Sequence, residues 1–264
     1  MTSNKDLQWD ARYYQNHSQF QFQLGLMAIE RLNPQDCEKI LEIGCGNGLL
    51  TVEIAKKIPN GEIIAIEISK EMIKLAQENA KLNGLENIKF LNMDAIEISF
   101  KNEFDAVFSN SAIHWIKKIK LMYKKIYDAL KPNGRIINQT GLREKGVFVS
   151  TIIKLFQIKR FKPYFSKLNI PWNFLTKNKN MKILQDANFS NISIETYLEV
   201  HEFESKEALY GHFKAAAMVP FLSVLPDELK KDFEETFMRI YLIENDQKLD
   251  LKNTRLFISA QKTI

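Results

Sequence analysis

One stretch constrains this chain more than any other. The apolar run Lys39-Ile-Leu-Glu-Ile43 stops at Gly44-Cys-Gly-Asn-Gly48, and a second run, Ile63–Ile66, ends on Glu67. Both runs have the length of buried strands rather than helices. Glycine accepts the positive φ of a tight turn and lets the backbone come close to a ligand. A strand that feeds a glycine turn and a helix, with an acid about 20 residues on, makes a nucleotide-cofactor pocket at the carboxyl edge of a parallel sheet. The bland alternative is an ordinary strand-to-helix turn followed by a surface acid.

Residues from about 35 to 140 sustain this rhythm. Strands are expected at Ile40–Ile43, Ile63–Ile66, Ile88–Leu91, Phe104–Ser109 and Arg135–Asn138. Helices are expected at Leu49–Ile58, Lys70–Leu82 and Ile119–Leu130, stopped by Pro59-Asn60-Gly61, Asn83-Gly84 and Lys131-Pro132-Asn133-Gly134. Ser69 is placed to cap the second of them. This β-α repetition predicts an α/β fold, a doubly wound and mostly parallel sheet with helices on both faces. After residue 140 the pattern turns helical at Val147–Phe161, Met181–Asp186, Lys206–Ala217 and Asp227–Tyr241, with strands at Ile192–Val200 and Thr254–Ala260. The late strands fit an antiparallel addition at the sheet edge, seven strands in all. Segments 9–32, 145–175 and 206–241 are left as helical lid insertions of one domain spanning 1–264.

Composition excludes several classes. The polar start, Met1 to Asp10, and the lack of any run of about 20 apolar residues predict neither a signal peptide nor a membrane span. Cys37 and Cys45 are too few for a disulfide framework, so a reducing cytoplasm is expected. No Cys/His cluster has metal-ligand spacing, and no metal is expected. The net charge of +5 is unevenly placed: between Glu144 and Asp186 there are nine Lys and Arg and no acid. That segment reads either as a solvated lysine-rich surface or as a face for an anionic partner.

The glycine spacing refines the cofactor. It is G-x-G-x-G, and Leu49 stands where a dinucleotide fingerprint has its third glycine, which disfavours a pyrophosphate-binding turn and a nicotinamide enzyme. Glu67 follows Gly46 by 21 residues, the spacing of a ribose-binding acid, and Met93-Asp94-Ala95 ends the third expected strand. With Phe104-Asp-Ala-Val-Phe-Ser-Asn110, these residues resemble the class I S-adenosylmethionine-dependent methyltransferases. The resemblance implies that the turn Gly44, Cys45 and Gly46 takes the methionine part of S-adenosyl-L-methionine, that Glu67 holds the ribose and that Asp94 with Ala95 reads adenine. Ile68 and Met72 would flank the cofactor, Asn110 would meet it at the end of strand four, and Tyr14 would cover it from the lid. Asp105, within strand four, is expected to be structural.

A second resemblance concerns the acceptor. Trp9-Asp-Ala-Arg-Tyr-Tyr14, Ser18-Gln-Phe-Gln-Phe22, Trp115 after strand four and Pro220–Leu229 are similar to the small-molecule carboxylate methyltransferases of the trans-aconitate and juvenile hormone acid kind. A carboxylate is ionised at neutral pH and needs no general base. It needs donors, which Gln21 and Trp115 would supply through an amide and an indole N–H. His114 would matter instead for a phenol or an amine, which want a base. Neighbours in the chain diverge in direction, so His114 and Trp115 are not expected to face the site together. Apolar residues of the lid, among them Leu24, Leu26, Val147, Phe148, Ile152, Leu155, Phe161 and Trp172, are expected to line the acceptor pocket. The leading expectation is an O-methyltransferase of a small, largely apolar acid, free or linked to a carrier protein. The alternatives are an RNA methyltransferase using segment 145–182 and a small-molecule N-, C- or phenol O-methyltransferase. Strand four ends in Ser-Asn-Ser-Ala without an Asn/Asp-Pro-Pro-aromatic signature, which disfavours nucleic acid.

Overall fold

A computed structural model describes residues 10–144, 146–166, 168 and 172–263. Two helices come first, α1 (Ala11–His17) and α2 (Gln19–Leu32). The alternating part follows as β1 (Lys39–Ile43), α3 (Leu49–Lys57), β2 (Glu62–Glu67), α4 (Lys70–Leu82), β3 (Ile88–Asn92), β4 (Phe104–Asn110), α5 (Ile119–Ala129) and β5 (Leu130–Gly141). Then come α6 (Val147–Gln157), α7 (Lys162–Phe165), α8 (Lys177–Asp186) and β6 (Phe189–Glu202). The remainder is α9 (Lys206–Ala216), α10 (Val219–Leu222), α11 (Asp227–Glu244) and β7 (Asp250–Lys262).

The seven strands form one sheet in the order β3-β2-β1-β4-β5-β7-β6. The first five are parallel, with Leu41 opposite Ile64 and Val107, while β7 runs antiparallel to both β5 and β6. The antiparallel strand is therefore one place in from the edge, and β6 is the edge itself. Strand order reverses between β1 and β4, so the crevice beyond their carboxyl ends is where an open α/β sheet binds its ligand.

Each expected strand of the alternating part is present. β5 starts five residues earlier than Arg135, because Leu130 pairs with Phe104 before a register shift. Ser69 caps α4 as expected, its Oγ accepting the Met72 N–H at 3.3 Å. Asp105 is structural: it accepts the Lys39 N–H at 2.9 Å and pairs with Lys131 at 2.8 Å.

Two expectations for the lid change. α2 is not part of a lid but covers one face of the sheet. Leu24, Ala28, Ile29 and Leu32 repeat at helical spacing and are buried with Ile40, Ala106, Phe108 and Ile137. Leu24 is thus sheet core rather than pocket lining. Farther along, Ile152, Leu155, Phe161, Phe221, Phe233 and Phe237 form a separate core among α6, α7, α10 and α11. Those aromatic side chains satisfy one another's burial, with Phe161 edge-on to Phe233 at 5.4 Å between ring centres.

The lysine-rich segment is not a bare cationic face among the described residues. Lys154 pairs with Glu244, Arg160 with Asp232, and Lys182 with Asp186 at 3.2 Å, so acids from α11 and α8 answer them. Trp9, Lys145 and Lys167 lie outside the described residues. No helix of the described residues is long and apolar enough to cross a membrane.

Candidate active site

A cavity of about 410 Å³ opens at the switch between β1 and β4. Its wall includes Tyr14, Gly44, Gly46, Glu67, Ile68, Met72, Asp94, Ala95, Asn110 and Trp115. Three other residues singled out from the sequence lie elsewhere. Cys45 is buried beneath the turn with its Sγ 3.9 Å from the Gly46 carbonyl oxygen, and burial pushes its thiol up. Gln21 is buried on α2, and its main-chain carbonyl accepts the Asn110 side-chain N–H at 3.0 Å. His114 is buried outside the cavity wall, 3.1 Å from the Thr140 hydroxyl through Nδ1 and stacked on Phe174 at 4.4 Å. The apolar lid residues, Val147, Phe148, Ile152, Leu155, Phe161 and Trp172 included, line none of this cavity because they pack in the separate core.

The turn is built by positive φ at three glycines: 72° at Gly44, 54° at Gly46 and 76° at Gly48. The Gly44 and Cys45 N–H groups donate to the Ile66 carbonyl at 2.9 and 3.1 Å, which ties the turn to β2. A Cβ on Gly44 would fall 2.2 Å from the Ala112 Cβ, whereas one on Gly46 would meet nothing within 4 Å. Gly46 therefore exposes bare backbone to open space, as a turn that cradles a ligand requires.

Glu67 is held by that same turn. One carboxylate oxygen accepts the Gly46 N–H at 3.2 Å and the other accepts the Ser69 N–H at 3.0 Å. An ionised carboxylate has about four acceptor sites, so acceptor capacity remains for a ribose hydroxyl. Burial pushes its pKa up, against the pull of the Ser69 and Gly46 N–H groups. Tyr14 is pushed up to about 12 by burial and by the Glu67 charge. Asp94 caps a short 3-10 turn through the Ile96 N–H at 3.1 Å, and Ile68, Met72, Met93 and Ile116 supply apolar wall around it. Open backbone, a preoriented acid and apolar walls beside a second acid fit S-adenosylmethionine from methionine end to adenine.

Two residues at or near the wall, Ser111 in it and Glu42 behind it, were not singled out by the sequence. Ser111 has φ 52°, an uncommon conformation for a residue with a side chain, and is held there by Gln139 through two contacts of 2.9 Å. Glu42 sits in β1 below the turn, fully buried, with Oε2 lacking a protein partner. Burial, chiefly, and the Glu67 charge push its carboxyl up to about 7. Its place inside an apolar strand was the available signal.

Comparison with known proteins agrees with this geometry. The family described as a methyltransferase domain matches residues 34–188. An uncharacterized methyltransferase of Schizosaccharomyces pombe is 30% identical over 78% of this chain and 81% of its own length. A malonyl-[acyl-carrier protein] O-methyltransferase of Ilyobacter polytropus is 30% identical, and there the chain spans about half the relative's length: 52% of each is covered. Among solved structures, a phosphoethanolamine N-methyltransferase of Haemonchus contortus in complex with S-adenosylhomocysteine aligns with a TM-score of 0.61 at 21% identity, covering 92% of this chain and 53% of that one, a likeness of fold. The chain belongs to the methyltransferase domain family and is an S-adenosylmethionine-dependent methyltransferase.

Proposed function

We propose that the enzyme methylates the carboxylate oxygen of a small, largely apolar acid, free or carrier-linked, and does so as a single domain. The observation that carries this reading is the makeup of the cavity wall. Among the described residues, it contains the indole of Trp115 but no histidine. His114, the nearest base in sequence, is held by burial at a pKa of about 3 and faces Thr140 instead. A group so weakly basic is a poor acceptor for the proton of a phenol or an ammonium. An acid that arrives ionised needs none. The malonyl-carrier methyltransferase among the relatives supports the carrier-linked variant.

S-adenosylmethionine supplies an electrophilic methyl group when bound. The chain's residues then have three tasks. Gly44, Gly46, Glu67 and Asp94 hold the cofactor, Trp115 donates its indole N–H to the acceptor carboxylate, and Tyr14 limits access of water from the side of α1. Gln21 acts from beneath, fixing the Asn110 amide through its carbonyl. Incubation with methyl-labelled cofactor and a panel of free and carrier-linked acids should give base-labile methyl esters. Base-stable product alone would overturn the reading.

A further inference from the structure

α1 carries Tyr14 to the cavity and packs chiefly against α9, with a lesser contact to α4. The helix has seven residues, half-buried or exposed, with Tyr14 turned inward. Helices that short are marginal without specific contacts. Over its first turn α1 is parted from α4 by an open groove lined by Asp10, Arg12, Glu71, Lys74 and Leu75. On its other flank it meets α9, where His17 lies 2.5 Å from the site a Cβ on Gly211 would take.

One buried amide bridges the gap. Asn79 on α4 is 7% exposed. Its Nδ2 donates to the Asn47 main-chain carbonyl in the glycine turn at 2.9 Å and to the Gln15 Oε1 on α1 at 3.2 Å. Gln15 is the neighbour of Tyr14. The two protons of one NH₂ group thus reach the turn that cradles the cofactor and the helix that covers it.

We infer that Asn79 is a positioning residue, whose amide locks α1 to the glycine turn so that Tyr14 closes over bound S-adenosylmethionine. It touches no reacting atom. Its effect passes through Gln15 to Tyr14 on one side and through the Asn47 carbonyl to Gly46 and Gly48 on the other. Asparagine suits the task because a planar NH₂ offers two donors at a fixed angle, which leucine or aspartate at 79 could not.

The test is a double-mutant cycle read by calorimetric titration with S-adenosylhomocysteine. Gln15→Met removes only the bond to α1 and should weaken binding about fivefold, with the melting temperature of the free protein little changed. Asn79→Leu removes both bonds and should weaken it about twentyfold. The double variant should be no weaker than Asn79→Leu, and Asn79→Gln, which keeps the NH₂ group, should recover part of the loss. Unchanged affinity in Gln15→Met, or fully additive losses in the cycle, would overturn the inference. Absence of binding in the wild type would overturn the cofactor assignment on which it rests.

Discussion

Ala76 of α4 lies so close to Gly48 that a Cβ on residue 48 would come within 2.9 Å of the Ala76 Cα. The third glycine of the turn thus faces α4 and is absent from the cavity wall. It allows α4 to pack against the start of α3, a helix-to-helix approach, whereas the third glycine of a dinucleotide fingerprint serves helix–strand packing.

Gly48→Ala should therefore act on folding first. The φ of 76° disfavours any side chain, and the contact with Ala76 leaves no room for a methyl group. We expect a loss of roughly 2–4 kcal/mol in urea unfolding. Gly46→Ala, whose Cβ meets open space, should lose cofactor affinity with a smaller cost in stability.

Glu67→Ala should weaken S-adenosylhomocysteine binding roughly ten- to hundredfold, the range expected for hydrogen bonds to a charged acceptor. The pH dependence follows from the upward shift of Glu67. As pH falls, protonation removes acceptor capacity sooner than for an exposed glutamate, so wild-type affinity should decline from a higher pH than 4.5. Titration of binding across acidic pH measures this, and a midpoint below 4.5 would contradict it.

Trp115→Phe keeps an aromatic wall and removes the indole donor. With a carboxylate acceptor we expect kcat/KM to fall about tenfold, the worth of one hydrogen bond to a charged group. Affinity for S-adenosylhomocysteine should stay within about threefold. Because burial pushes His114 down to about 3, the rate should also show no inflection from His114 between pH 6 and 7. Such an inflection, lost in a His114→Phe variant, would favour a phenol or amine acceptor.

Glu42 predicts a stability profile. Its pKa rises from 4.5 in the unfolded chain to about 7 in the fold, so the native state binds the extra proton between those values. Its contribution is fully present below pH 4.5 and is lost as pH rises through 7, a change of at most about 3 kcal/mol. Glu42→Gln, similar in shape and uncharged, should be more stable than the wild type at pH 8 and equal to it near pH 4. Chemical denaturation at both pH values checks the crossover.

His212 works in the opposite direction. Burial, first, and the Arg255 charge hold it near 3, so it is neutral in the fold. Its stabilisation is present above 6.5 and is lost as pH falls toward 3, when the unfolded chain alone takes the proton. His212→Phe should flatten the acid limb of a thermal unfolding series.

Much of this protein could be read along the chain. The alternation of apolar runs with helical spacing fixed the order of strands and helices from 40 to 140. Turn chemistry and one interval, Gly46 to Glu67, brought Glu67 to the cavity wall beside the glycine turn. These are local signals: positive φ selects glycine, and a strand-helix-strand unit sets how far on the next strand end must fall. Nine of the ten residues expected around the cofactor lie in the cavity wall, and the tenth, Cys45, is buried with its thiol near the Gly46 carbonyl.

What the tertiary structure alone decided concerns the partner of each buried group. Leu24 and Phe161 were expected to line the acceptor pocket, but the drive to bury apolar surface is non-directional and does not name its neighbour. Leu24 met the sheet, and Phe161 met the aromatics of α10 and α11. The direction of His114 and Trp115 turned on a short 3-10 segment, Ile113–Trp115, that sends one toward Thr140 and the other into the cavity wall. The link from Asn79 to Gln15 spans 64 residues of chain, and the pairing of Arg160 with Asp232 spans 72. Contacts of that kind come into being only when separate elements pack, so sequence settled the cofactor turn and packing settled what surrounds it.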